Sequence, residues 1–277
     1  MTVALIDGDI FTRRFTAACE YEMFTMSTKD GDVQEIRGKT NAKQFEADNP
    51  TYAVVDSYKV VEPIEYVKHN INLTIDKIKD AIQCHEDFHI YLGEQGVPTF
   101  RHKLYAPYKH KRVGQVRPIH YQEIYDWLRD KYNATTSHEL EADDVIGIRN
   151  SMYNNAVICS NDKDMLTIPG WHYNFINDHK RVVNQHEADT HLFIQILMGD
   201  STDCIPGLPR VGIKQATEIV AGCNDFESLF NNATQAYRTR CEEDWKDYFM
   251  LNCNLVYILR KEGDSFAALL ERNGVSL

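Results

Sequence analysis

Between Glu141 and Asp164 the chain sets five carboxylates, Glu141, Asp143, Asp144, Asp162 and Asp164, in two groups: EADD where a helix begins and NDKD where a strand ends. Like charges brought into one cleft repel one another, or raise each other's pKa until some protonate. A hard divalent cation reverses that sign, because it prefers oxygen ligands and favours the ionised form. Binding of divalent metal ions is therefore the chemistry these residue types raise. Each group also has a plainer reading. Acids in a first helical turn favour the helix dipole, and Asn161 or Asp162 can simply cap the helix that follows.

Four more acids fall where elements would deliver them. VALIDGD, 3–9, reads as a short buried strand that ends at Asp7 and Asp9, and ligands in open α/β sheets gather outside the carboxyl ends of strands. An N-cap aspartate is the alternative there. IEYVKHNINLTIDKIKDAI, 64–82, has apolar residues at helical spacing, and DFHIYLG follows as a second buried strand ending at Glu94. Strand, helix and strand in that order make a βαβ unit and imply a parallel sheet. Further on, TTSHEL reads as a short strand, AVICS and WHYNFIND as two more, and EADTHLFIQILMG as a helix. Asp200 and Asp203 follow that helix's C-terminal end, where acids oppose the dipole, so a ligand explains them better than helix electrostatics does.

The segment RHKLYAPYKHKRVGQVR, 101–117, has six Lys or Arg residues and two His but no acid, with Tyr105 and Tyr108 among them. Basic side chains bind phosphates and interleaved aromatics stack on unpaired bases; a solvated loop is the competing reading. GLPRVGIK, 207–214, reads as a hairpin whose two glycines open a helix, leaving N–H groups as a seat for a phosphate. MFTMSTKDGDVQEI reads as a β-hairpin turning at Asp30-Gly31, and TYAVVDSYKVV as another strand. Residues 21–60 carry no chemical motif and are expected to be an accessory insertion.

Composition bounds these readings. At 277 residues, 43% apolar and 26% charged, the chain can bury a large core. It contains no apolar run of about 20 residues, and its start lacks a signal peptide's pattern, so the expectation is a cytoplasmic protein with no membrane partner. The seven cysteines are widely spaced and form no CxxC pair, which argues against a disulfide framework and a zinc site. The formal net charge of −11 looks hostile to nucleic acid, but setting aside the nine candidate acids brings it to −2. The remaining surface has room for basic patches.

Taken together, IDGD, Glu94, Tyr108-Lys109-x-x-Arg112, EADDVIG, SNDKDM and GDSTDCIPGLPRVGIKQA resemble, in order, the 5′-nuclease family of bacteriophage 5′ to 3′ exonucleases, flap endonucleases and the 5′-nuclease domains of bacterial DNA polymerases. The resemblance covers about residues 1–20 and 87–222. It implies a PIN-like α/β fold: a twisted, mostly parallel sheet flanked by helices, with a helical arch and a helix-hairpin-helix element that binds DNA. The expected organisation is a nuclease core over 1–185, with the insertion at about 21–60 and the arch at about 98–132, and a helix-hairpin-helix and C-terminal helical region over 186–277.

The resemblance also implies roles. Asp7, Glu94, Glu141, Asp143 and Asp162 look like the shell of one Mg²⁺ or Mn²⁺ ion. Asp162, Asp164, Asp200 and Asp203 look like that of a second, with Asp144 close to both. Glu94 departs from the family's more usual aspartate. Lys109 and Arg112 would contact the scissile phosphate, with Arg101, Lys103, Tyr108, Lys111, Gly207, Gly212 and Lys214 as DNA contacts and K⁺ as a further ion at the hairpin. The implied activity is metal-dependent cleavage of DNA at a 5′ end, flap or nick, and of RNA–DNA hybrids, in replication or repair, by a monomer working in the cytoplasm, the host's if a phage encodes it. A PIN-like RNA nuclease and a catalytically inactive nucleic-acid-binding protein of the same fold are the alternatives. GLPRVGIK speaks against the first and the presence of all nine acids against the second.

Overall fold

The computed structural model describes residues 2–84, 86–241 and 243–277. In chain order, β1 (Val3–Asp7) leads through a π-helical turn (Phe11–Phe15) and α1 (Thr16–Ala18) to β2 (Glu20–Ser27), β3 (Val33–Arg37), α2 (Lys39–Asp48) and β4 (Ala53–Val61). Next come α3 (Ile64–Ile82), β5 (Phe88–Tyr91), α4 (Phe100–Leu104), a 3-10 turn (His110–Arg112), α5 (Tyr121–Tyr132), α6 (Ala142–Asn150) and β6 (Ala156–Cys159). A second 3-10 turn (Lys163–Thr167), β7 (Gly170–Asn174), β8 (His179–Val183) and α7 (Gln185–Met198) precede α8 (Ile213–Val220), α9 (Phe226–Arg240), α10 (Trp245–Val256) and α11 (Phe266–Arg272).

The chain divides into two compact units, one of Met1–Asp9, Lys77–Gln115 and Tyr132–Leu277, the other of Ile10–Asp76 and Val116–Lys131. The first holds a five-stranded sheet of order β5-β1-β6-β7-β8, parallel except for the antiparallel β8. The twisted, mostly parallel sheet expected from the βαβ pattern is present. β1 lies between β5 and β6 and every residue of it is buried, as an apolar run between two parallel neighbours must be. Just past it, a Cβ on Gly8 would lie 2.8 Å from the carbonyl oxygen of Tyr91, so only glycine allows the chain to leave the strand this close to β5.

One core of this unit joins β1 and β6 to α6 through Val3, Leu5, Ile146 and Ile158; another gathers α7 to α11 around Phe193, Tyr237, Phe249 and Phe266. TTSHEL is not a strand. Only Thr135 bridges to Tyr91, because Asn133 and Glu139 take left-handed backbone angles at either side. β8, unforeseen, pairs with β7 across a turn in which Asp178 is left-handed.

The second unit carries the antiparallel sheet β3-β2-β4, with the hairpin turning at Thr28–Asp32 as expected. α2 covers one face of it, packing Ala42 and Phe45 on Phe24 and Met26. Within this unit α3 and α5 are tied by Lys68 to Glu123 at 3.0 Å and by Lys131 to Asn72 at 2.7 Å. Among the described residues no helix is long and apolar enough to cross a membrane, and the seven cysteines are free.

Candidate active site

The parallel strands β1 and β6 end side by side, and the acids come from the segments leaving them. Asp7 closes β1 and is 5% exposed; its carboxylate accepts from the Ser160 hydroxyl at 2.8 Å and from the Asp9 N–H at 3.1 Å. Asp9 in turn accepts from the Gly93 N–H at 3.1 Å, fixing the exit of β5. After β6, Asp162 caps the 3-10 turn by accepting from the Asp164 N–H at 2.9 Å, and its own N–H donates to Ser160 at 3.0 Å. Ser160 thus links Asp7 to Asp162, a role the sequence did not single out.

Asp143 sits in the first turn of α6. Burial pushes its carboxyl well above the usual range, and Asp7, Asp162 and Glu141 push it further. Burial, then Asp9 and Asp162, raise Asp7 to about 7. Asp164 is also raised to about 7, by burial and then by Asp162, Asp200 and Asp203, although it accepts from the Gln195 amide at 2.5 Å. Asp200 caps its own loop, accepting from the N–H groups of Thr202 at 2.6 Å and Asp203 at 3.2 Å. Two overlapping groups result: Asp7, Asp143, Asp162 with Glu141, and Asp162, Asp164, Asp200, Asp203. Glu94 pairs with His138 at 3.1 Å.

A second set of acids is already matched by cations. Lys109 has a left-handed φ of +52°, a strained conformation for a side chain of this kind. Its N–H donates to the Asp203 carbonyl at 2.9 Å, and its ammonium pairs with Glu141 and, at 3.5 Å, with Asp203. Arg112 also pairs with Asp203. Burial would raise the Glu141 carboxyl, but Lys109 and Arg101 outweigh that and hold it at about 2.

Among the described residues no three His, Cys, Asp or Glu side chains stand close enough together to hold an ion as they are. Two of the candidate ligands, Glu141 and Asp203, are turned onto Lys109 and Arg112. The donor set itself suits a hard cation, because it is all carboxylate and its buried members repel one another.

Residues 2–192 match the family model described as 5'-3' exonuclease, N-terminal resolvase-like domain. The chain belongs to this 5'-3' exonuclease family. A relative within reach of sequence comparison, the 5'-3' exonuclease of Buchnera aphidicola subsp. Acyrthosiphon pisum (strain APS), is 31% identical over 163 residues, 52% of this chain and 56% of that protein. The match therefore spans only about half of that relative's length. The flap endonuclease Xni of Shewanella woodyi is 25% identical over 75% of this chain and 92% of its own. A crystal structure of the bacteriophage T5 flap endonuclease, a pseudo-enzyme–product complex with DNA and metal ions, shares the fold: TM-score 0.51 at 13% identity, over 92% of this chain and 99% of that one.

Three of the residues expected to touch DNA are placed otherwise in this 5'-3' exonuclease family member. Arg101 is 2% exposed, and all five N–H donors of its guanidinium are spent inside the protein, on Asp144, Glu141 and the carbonyls of Leu255 and Tyr257. Tyr108 is 3% exposed and donates its hydroxyl to Glu141 at 2.8 Å, so its ring cannot stack on a base. Gly207 is buried at φ +59°, its N–H donating to Asn252 at 2.8 Å, and a Cβ there would lie 2.3 Å from the Gly199 nitrogen. Packing, and not a phosphate, accounts for that glycine.

Gly212 differs: it is exposed, nothing lies within 4 Å of an added Cβ, and its N–H donates to Gln215 at 3.1 Å. Lys214 is exposed in the first turn of α8. Lys103 pairs with Glu139 at 2.6 Å, and Lys111 donates to the Ser201 carbonyl at 2.7 Å.

Proposed function

We propose that the chain is a metal-dependent 5′ nuclease that hydrolyses phosphodiester bonds of DNA at a 5′ end, flap or nick. The observation that carries the reading is the pair of overlapping acid groups joined by Asp162, in which desolvation first, and then neighbouring carboxylates, raise the pKa of Asp7, Asp143 and Asp164. Asp7, Glu141, Asp143 and Asp162 would hold one Mg²⁺ or Mn²⁺ ion; Asp162, Asp164, Asp200 and Asp203 would hold a second. When bound, such ions supply polarisation of water and charge neutralisation at the phosphoryl group.

The protein's own part is electrostatic and positional. Lys109 and Arg112, resting on Glu141 and Asp203, become available to a scissile phosphate once those acids take other partners, and their charge then opposes the negative charge that builds up in the transition state. The 101–117 segment is the arch of this reading, with Lys103 and Lys111 as its outer cations. The exposed start of α8, at Gly212 and Lys214, is its duplex contact. The work is that of a monomer in the cytoplasm, where DNA replication and repair supply such ends.

The deciding assay uses a 5′-flap, a nicked duplex and an RNA–DNA hybrid, each labelled at both ends, with Mg²⁺, with Mn²⁺ and with EDTA. Cleavage from the labelled 5′ side in the presence of metal is the expected result. Asp162→Asn should abolish it while apo stability stays level or rises, since one repelling charge is gone. Full cleavage by that variant would remove the two-ion assignment. Binding in Na⁺ and in K⁺ salts tests potassium at the hairpin.

A further inference from the structure

Arg101 and Asp144 form a closed set. The two guanidinium Nη atoms meet the two Asp144 oxygens at 2.6 and 2.9 Å, the bidentate geometry that makes Arg–carboxylate pairs strong. Nη1 also donates to Glu141 at 3.3 Å, Nε to the Leu255 carbonyl at 3.0 Å and Nη2 to the Tyr257 carbonyl at 2.7 Å. On the other side, Asp144 is fully buried, and its oxygens accept two further bonds, from the N–H groups of Leu259 and Glu141, both at 3.2 Å. A carboxylate has about four lone-pair sites. Four donors fill them, and no lone pair of Asp144 is left to bind a metal ion.

We infer that Asp144 is not a metal ligand but the anchor of Arg101, and that Arg101 is a positioning residue that fixes Glu141 toward the metal centre. The inference rests on the metal-dependent reading of Glu141 given above. Three elements converge on the pair: α4 brings Arg101, the N-terminus of α6 brings Asp144 and Glu141, and the end of α10 with the residues after it brings the two carbonyls and the Leu259 N–H. Glu141 is therefore held at both ends, its backbone N–H by Asp144 and its carboxylate by Arg101. A lysine at 101 keeps the charge but loses the planar fork and two of the five donors.

The test is a mutant cycle on Mn²⁺ affinity, measured by calorimetry on the full chain without DNA, with near-UV circular dichroism to establish the fold. Groups that orient a ligand typically carry about tenfold or more in metal affinity. Arg101→Lys should therefore bind Mn²⁺ about tenfold more weakly than wild type. In a Glu141→Gln background the same change should add almost no further loss, because Arg101 acts through Glu141.

Asp144→Asn, a second variant that approaches the pair from its other side, should behave the same way wherever it folds: a loss alone and none beyond Glu141→Gln. A general loss of packing would instead add to the Glu141→Gln effect. Losses that add, unchanged affinity in folded Arg101→Lys, or a further fall when Asp144→Asn joins Glu141→Gln would each overturn the inference alone. Wild-type protein that takes up no Mn²⁺ would overturn the metal reading itself, and the inference with it.

Discussion

The acids of the site divide into two kinds. Glu141, Asp144 and Asp203 each lie against a lysine or arginine. Burial raises the pKa of Asp7, Asp143 and Asp164, and neighbouring acids raise it further. The first kind is built into the fold by its own counter-charges; the second stores repulsion that a bound cation relieves. The protein therefore carries half of its site as structure and half as an unmet electrostatic demand.

Acidity should expose that division most strongly. Glu141 titrates at about 2 against an ordinary 4.5, so its contribution is present above pH 4.5 and lost as pH falls through 2. Asp7 and Asp164 have the opposite sign: unfolded they ionise near 3.8, while folded they keep a proton up to about 7. Between those values the native state binds more protons than the unfolded chain, and stability falls as pH rises. Metal-free protein should thus be most stable near pH 4 and lose several kcal/mol by pH 7, with millimolar Mg²⁺ restoring much of the loss. Urea midpoints from pH 3 to pH 8, with and without Mg²⁺, measure this. A metal-free optimum at neutral pH would erase the distinction between the two kinds of acid.

A carboxylate-to-amide change at Asp144 should cost about 3–5 kcal/mol of unfolding free energy, because it strands the buried Arg101 charge. The same chemical change at Asp162 should cost none. Equal losses in denaturant titrations would show that the two sets are electrostatically alike. The smallest effect concerns the cations themselves. Lys109→Ala should slow single-turnover cleavage about 100-fold, and Arg112→Ala similarly, while duplex affinity changes little. Wild-type rates would mean that these side chains serve Glu141 and Asp203 only.

Much of this site was legible in the sequence, because strand ends and helix starts are punctuated by residue type. IDGD, EADD and SNDKD each sit at such a boundary, and the sheet brings those boundaries together. What could not be read was burial inside a polar stretch. Arg101 and Lys111 are alike as letters in one basic run, yet one is enclosed and the other exposed. Gly207 and Gly212 are alike as hairpin glycines, but only the packing of Asn252 and Gly199 shows that the first is a core residue. α2 escaped notice because its sequence, KTNAKQFEAD, has no continuous apolar face and rests on the sheet through few residues.

The order of the sheet also has a consequence for how the chain acquires this site. β1 lies between β5 and β6, with Ala4 opposite Phe88 and Val3 opposite Ala156, so it finds its partners only after about 85 and about 150 further residues. Those partners enclose the intervening sequence of the second unit, whose hairpin and helix have local contacts and can form early. During synthesis the apolar strand VALID must therefore wait unpaired until β5 emerges, and keeps one edge open until β6 follows. Kinetic competition between that closure and aggregation, more than equilibrium stability, should set the yield of folded protein.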